Sequence, residues 1–386
     1  MKAPSPTVLR ARNAVTAVFV LNGFGFASLF SRVPDVRGGL DLDNSGLGLL
    51  LLVGAAGSVL ALPSAGSLIR RRSAAAVVRA GCVLVSVGLV LVAVGVDAFD
   101  SVGATAVGLF VYGVGTGVWD VAMNVEGAAV ERGLGRAILP RFHAGWSLGS
   151  VSGAGLGVLV TALGVPVVGH LGLAGLVALG AFPAARTFLP VEPEASAPRT
   201  GSAWREPRTL VIGVMVMAFA LTEGAANDWL ALALIDGYEA PHWVGVAGFA
   251  TFVVAMTIGR MLGTVVLDRY GRVLVLRATA MLALAGLLLL VFGPHPVLVG
   301  LGVVAWGLGA SLGFPVGMSA GADDPARAAA RVSVVSTIGY AAFLAGPPVL
   351  GFVADQVGTL ESLLVVAVLL VPTTLLVSVT KEPVRG

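Results

Sequence analysis

The sequence predicts an all-α membrane protein of twelve transmembrane helices, arranged as two pseudo-symmetric six-helix bundles with both termini cytoplasmic. Three observations predict it. First, 57% of the 386 residues are hydrophobic and 12% are charged, with a mean hydropathy of +0.95. A soluble domain is about half apolar and about a quarter charged. Second, apolar runs of spanning length recur along the chain, and their length fits helices; strands of a membrane barrel alternate over about ten residues. Third, part of the first half can be laid on the second at a constant offset.

The spans, numbered one to twelve, read as 14–33, 46–69, 74–96, 102–130, 139–162, 165–188, 209–235, 242–267, 273–293, 296–319, 330–354 and 360–380. The leading MKAPSPTVLRARN is short and basic. The run behind it has full spanning length and no small-residue cleavage site, so it is expected to stay as span one rather than leave as a signal peptide. The charges test the count. With the N-terminus inside, every one of the 24 Lys and Arg residues except Arg32 and Arg37 falls in an inside segment, as the positive-inside rule requires. A wrong count would scramble that parity. The same placement explains the net charge of +3 without nucleic acid as a partner. PVEPEASAPRTGSAWREPR, 190–208, is the longest polar stretch and reads as a cytoplasmic linker. It separates an N-terminal bundle, 1–189, from a C-terminal bundle, 209–386.

The halves resemble each other. GVGTGVWDVAM at 113 lies over GLGASLGFPVG at 307, and the same offset sets HAGWSLGSVSG at 143 against TIGYAAFLAGP at 337. Gly113 meets Gly307, Gly115 meets Gly309, Gly145 meets Gly339 and Trp146 meets Tyr340. A constant offset through two spans and a loop argues for duplication. Secondary transporters are built this way, with the substrate site between repeats near mid-membrane.

Ionisable groups in hydrocarbon are costly and mark candidate sites. Asp120 and Asn124 are one turn apart on one face of span four, and Asp120 is roughly 27 Å from the outer end. Such a carboxylate is paired, protonated or facing water. It reads either as a proton-coupling or substrate-binding acid or as a structural group between helices. Glu126 and His143 lie at similar depth on either side of the short loop between spans four and five and could touch. They read as a proton relay, an interhelical hydrogen bond, or a gate with Arg132, Arg136 and Arg141. LTEGAANDWL in span seven puts Glu223 and Asn227 on one face, with Glu223 roughly 21 Å from the inner end. Asp228 is expected near the outer end, solvated, and Gly224 to Asn227 would permit an unwound helix. Asn22 of span one falls over Glu223 when Gly23 is matched to Gly224. Trp119, Trp146 and Trp229 stand beside these polar groups, an arrangement suited to sugars and equally to plain packing. Between spans eight and nine, Asp268, Arg269, Gly271 and Arg272 could clasp two helices and release them. No phosphate loop, no zinc or haem spacing and no nucleophile with partners is present, and Cys82 is the single cysteine. The reading is therefore of no enzyme, no cofactor, no metal and no ATP-driven pump.

On these residues the chain resembles the major facilitator superfamily. That family's GxxxxDRxGR signature is matched from Gly263 through Asp268, Arg269 and Gly271 to Arg272, while GSLIRRRSA from Gly66 is a degraded counterpart. VWDVAMNVEGAAVERGLGR, RFHAGWSLGS and RVPDVRGGLDLDNSGLGLL resemble the fucose-permease-like branch of bacterial inner-membrane permeases. The resemblance implies the major facilitator fold, a proton-coupling acid at Asp120 and a following Asn at Asn124. The branch's second acid would fall on Phe30, which is not ionisable, leaving Glu223 or Glu126 to supply it.

The expectation is a monomeric, multi-pass secondary transporter of the bacterial cytoplasmic membrane. It would move a small polar solute such as a sugar by alternating access, in symport with protons. Asp120, Glu223, Glu126 and His143 would couple protons. Asn22, Trp119, Asn124, Trp146, Asn227 and Trp229 would line the site, and Gly263 to Arg272 would gate it. The partners are solute, protons and the lipid bilayer. An exporter of drugs or metabolites with the same fold, and a sensor that transports nothing, are the alternatives. Protection against hydrophobic toxins marks the first, and the absence of any solute flux marks the second.

Overall fold

Helix starts follow their capping chemistry. Ser5 accepts from the Val8 N–H ahead of Pro6, Asp43 from Gly46, Ser73 from Ala76 and Ser101 from Ala104, each filling an amide that the first turn leaves open. Prolines open spans five, seven and ten, where their missing N–H costs nothing. In this computed structural model, which describes residues 5–135, 138–190, 203–324 and 327–381, twelve helices are long and apolar enough to cross a membrane. They are Pro6–Gly39, Asn44–Arg71, Ala74–Asp97, Val102–Leu134, Leu139–Ala162, Val167–Thr187, Pro207–Tyr238, His242–Gly263, Arg272–Phe292, Pro296–Gly321, Ala330–Val357 and Thr359–Thr380. No strand occurs among the described residues. The expected linker lies mostly outside them, as does Arg136.

Spans one, six, ten and twelve are each built from more than one helical piece. Span one is longer than its apolar run and breaks at Ser31–Arg32 before a short helix, Val33–Gly39. Arg32, expected as an outside loop charge, is 2% exposed. It donates to His170 Nδ1 at 3.1 Å, the Val165 carbonyl at 2.8 Å and Asp35 at 3.2 Å. The guanidinium is buried because span six and its approach satisfy it. Span ten breaks at Ser311–Leu312, between Pro296–Ala310 and Gly313–Gly321. The unwinding that Gly224–Asn227 would permit does not occur: span seven is one helix from Pro207 to Tyr238, since four small or amide residues inside an apolar run do not by themselves break a helix whose residues 224–234 are all buried.

The chain divides into two compact units, Met1–Ala195 and Ser196–Gly386, and the same helix pairs recur in each. In the first, span one packs on five, four on two and three, and three on six. In the second, seven packs on eleven, ten on eight and nine, and nine on twelve. The repeated Gly-x-Gly does the same job in both. A Cβ on Gly113 would meet the Gly54 carbonyl of span two, and one on Gly115 the Val85 amide of span three, both closer than 3.0 Å. Gly307 meets the Phe252 carbonyl of span eight, and Gly309 the Ala283 amide of span nine, again closer than 3.0 Å. In each unit one glycine therefore lets one neighbour's backbone in, and the second glycine admits the other neighbour. The residues just before, Tyr112 and Trp306, are buried aromatics pressed on by Gly88 and Gly286.

Candidate functional site

In the first unit, Asn124 Nδ2 donates to the Asp120 carbonyl at 2.9 Å and lies 3.4 Å from Asp120 Oδ1. The i,i+4 spacing on one helix face produces this contact. Among the described residues, Asn124 is the one hydrogen-bonding partner that reaches the Asp120 carboxylate. On span one, Asn22 is 7% exposed and its Oδ1 accepts from Trp146 Nε1 of span five at 2.9 Å. The two helices come this close because Gly23 faces the Trp146 carbonyl and Ser150 donates to the Gly23 carbonyl at 3.2 Å. The Phe26 ring lies 5.5 Å from that of Trp146 and 4.4 Å from that of Phe30. Phe30, where the resemblance would put a second acid, is thus part of an aromatic cluster with Phe26 and Trp146.

Three expected site residues of this unit sit elsewhere. Trp119 is wholly enclosed, with Gly81 of span three against its Cβ. It fills the seam between spans three and four rather than lining a surface. Glu126 is 3% exposed and its Oε1 accepts the Leu189 N–H at 2.6 Å, so it fastens the chain after span six to span four. His143 is exposed on span five with its ring edge-on to Phe19 at 5.1 Å.

In the second unit, Glu223 Oε2 pairs with Arg260 Nη2 at 2.8 Å, the side chains being 15% and 26% exposed. Arg260 also donates from Nε to the Ser311 carbonyl at 3.4 Å, at the break in span ten. The parity of the basic residues counts Arg260 among the inside charges, although position 260 falls within span eight. It lies within the span-eight helix, His242–Tyr270, neutralised by an acid on the helix just before it, a pairing that no local spacing announces. Asp228, expected near the outer end in solvent, is 9% exposed. The helix runs on to Tyr238, and every residue from Gly224 to Leu234 is buried. Asp228 has no hydrogen bond or ion pair among the described residues, and neither has Asn227 Oδ1. The overlooked signal was the apolar stretch after Asp228, which carries it about 15 Å from the helix end. Trp229 is wholly enclosed, a packing residue like Trp119.

The signature loop is also rearranged from expectation. Gly263 seats against Leu312, and Gly271, at φ 75°, turns the chain between spans eight and nine. Asp268 is exposed and has no ion pair among the described residues, while Arg269 stacks over Tyr270 at 5.4 Å. The clasping acid is instead Asp323, after span ten. It takes Arg272 at 2.6 Å and Arg208 at 2.8 Å. Beside it, Glu206 holds Arg327 and Arg331, each at 2.6 Å. Partial burial pushes the Glu206 carboxyl up, but hydrogen bonds from Arg331 and Thr209 and the charges of Arg331 and Arg327 outweigh it, leaving the group below the usual range.

Comparison with known proteins gives a consistent result. The Major Facilitator Superfamily model matches residues 15–342. An uncharacterized MFS-type transporter of Yersinia pestis is 31% identical over 350 residues, 87% of each chain. Membrane protein MosC of Rhizobium meliloti is 27% identical over 358 residues, 91% of this chain and 85% of the relative. Among solved structures, the nucleoside transporter NupG superposes with a TM-score of 0.74 at 15% identity, covering 98% of this chain and all of that one. The E. coli fucose:proton symporter FucP superposes with a TM-score of 0.65 at 17% identity, covering 96% and 98%. At such identities the solved structures establish the fold alone.

Proposed function

The chain belongs to the major facilitator superfamily, a family of multi-pass membrane transporters, and from that premise we propose that it carries a small polar solute in symport with protons by alternating access, with Asp120 as the coupling acid. The observation that carries this reading is the Asp120 carboxylate in span four, whose partner is an uncharged amide, Asn124. An intramembrane acid with no counter-charge has to exchange a proton or see water to exist there, which is what a coupling group does. Glu126 is a weaker second acid, because the Leu189 amide already occupies it.

In the first unit this reading draws on Asn22, Asn124 and Trp146 for the solute, without the enclosed Trp119; in the second it draws on Asn227, without the enclosed Trp229. Asn22 beside the Trp146 and Phe26 rings offers an amide next to an aromatic face, which suits a hydroxylated, sugar-like solute. FucP is named for fucose and protons and NupG for nucleosides, and both solutes are of that kind. The parity of the basic residues supports both termini inside, and the bacterial relatives support a bacterial cytoplasmic membrane as the place where it works.

The test is uptake by the purified protein in proteoliposomes, using labelled L-fucose, D-glucose and uridine under an inward proton gradient. Asp120→Asn should abolish gradient-driven accumulation of whichever solute is carried while leaving exchange at equal pH. Unchanged accumulation would reject Asp120 as the coupling group.

A further inference from the structure

We propose that Arg260 is the recognition point for the carboxylate of a hydroxylated monocarboxylic acid, and that Glu223 is an internal competitor which proton uptake removes. The inference rests on the proton-coupled reading above and narrows its substrate class.

The geometry of the pair carries it. A guanidinium matches a carboxylate best through two parallel N–H bonds. Here Glu223 takes one nitrogen, Nη2, at 2.8 Å. Nε reaches the Ser311 carbonyl at the longer distance of 3.4 Å, and Nη1 bonds none of the described residues. The fork is therefore held at its stem by the break in span ten, with donor capacity unused. The pair is also not sealed: 26% of the Arg260 side chain and 15% of the Glu223 side chain remain exposed. A pair kept only for packing gains little over apolar residues of the same size, and charged groups in spans face a polar space rather than lipid. One turn along the same face from Glu223, Asn227 is 6% exposed with its Oδ1 unpartnered among the described residues, an acceptor for a hydroxyl on the solute.

The charge arithmetic closes. At rest Glu223 carboxylate and Arg260 guanidinium sum to zero. When Glu223 takes a proton, it lets go of Arg260, which then binds the solute's carboxylate, and the sum is again zero. At this pair one proton and one anion enter together, and no stage leaves the pair with a net charge. From the helices packed on span seven, Arg260 of span eight is the charged group that meets Glu223. Asp228 lies on span seven itself. Glu206, Arg208, Asp323 and Arg331 cluster at the Pro207 end, and Asp236 sits near the Tyr238 end bonded to Thr359.

The experiment is binding to the purified full-length protein, by thermal shift and isothermal titration, with lactate, D-gluconate and D-glucuronate as probes and lactamide and D-glucose as neutral counterparts. An acid should bind where its counterpart does not, more tightly at about pH 6 than at about pH 8, since small carboxylic acids stay ionised over that range. Arg260→Gln should weaken it by roughly 30-fold or more. Glu223→Gln should tighten it by about tenfold at the higher pH and flatten the pH dependence. A merely structural pair would give neither gain. If Arg260→Gln fails to fold, Glu223→Gln and the double substitution to Gln at both positions, which removes both charges, still decide the matter. The inference is overturned if no acid outbinds its neutral counterpart, or if Glu223→Gln leaves affinity and pH dependence as they were. Asp120→Asn separates the two proposals: loss of proton-driven uptake with acid binding intact leaves this one standing, and uptake that survives with acid binding intact removes the coupling role alone.

Discussion

In the first unit a carboxylate on span four, Asp120, has an amide one turn away for a partner; in the second a carboxylate on span seven, Glu223, has a guanidinium from the next helix. Around these acids the scaffolds match. The same helix pairs form, and Gly-x-Gly lets in the same two neighbours in each unit. Duplication has thus kept the backbone crossings and let the charge compensation diverge. The difference teaches that packing and coupling are separable: the glycines are tied to how close two backbones come, the acids are not.

The largest effect expected is on the shared part. Gly113→Val and Gly307→Val each push a branched side chain into a neighbouring carbonyl, of Gly54 and of Phe252 respectively. Overpacking of this sort costs roughly 3 kcal/mol or more, seen as lost monodisperse protein and a lower unfolding midpoint in detergent. Equal damage in both units would sharpen the comparison; a tolerant Gly307 beside an intolerant Gly113 would break it.

The next effect, on the part that diverged, is of intermediate size. Arg260→Ala leaves Glu223 without its counter-charge. For a sealed pair the penalty is several kcal/mol, but this one is partly exposed, so about 2 kcal/mol is expected. Asp120→Asn breaks no ion pair and should move stability by no more than about 0.5 kcal/mol. Thermal unfolding of the two variants side by side checks this. A large loss from Asp120→Asn would mean that its carboxylate is structural, which would also remove the basis of the coupling proposal.

How much of this was legible in the sequence follows from the range over which each signal acts. The spans were readable because about 20 apolar residues in a row are a local property, and the duplication because Gly113, Gly115, Gly307 and Gly309 recur at one offset. Asp120 with Asn124 was readable for the same reason, being one helical turn. What stayed hidden is long-range. Nothing near Arg260 says that Glu223, 37 residues earlier, neutralises it, so by parity it counts only as one more inside charge. Asp323 answers Arg272 from across span ten, so the motif's own Asp268 was chosen instead. Asp228 was misjudged because burial on all faces depends on how neighbours pack, and Trp119 and Trp229 because a tryptophan beside a polar residue in sequence can point to the opposite side of the helix.

The smallest effect compares the ends of the two units. Span one begins on neutral partners, Ser5 on the Val8 N–H and Arg12 on the Asn13 amide oxygen at 2.9 Å. Span seven begins on charge, Glu206 against Arg327 and Arg331. Because the folded Glu206 carboxyl lies below its ordinary value, the unfolded chain binds that proton more readily. Stability from this group is therefore complete above the usual carboxylate value of about 4.3 and is lost as pH falls through the lower folded value. Wild-type protein in detergent should lose part of its unfolding midpoint between about pH 5 and about pH 3, and Glu206→Gln should lose less over that window. Both differences should shrink in high salt, since the group is near the surface. Hydrogen exchange should show the loosening at the Pro207 end of span seven and not at the Pro6 end of span one. Parallel loss in wild type and Glu206→Gln would mean that the two ends are held alike, by their caps, and that the arginines around Glu206 contribute topology rather than stability.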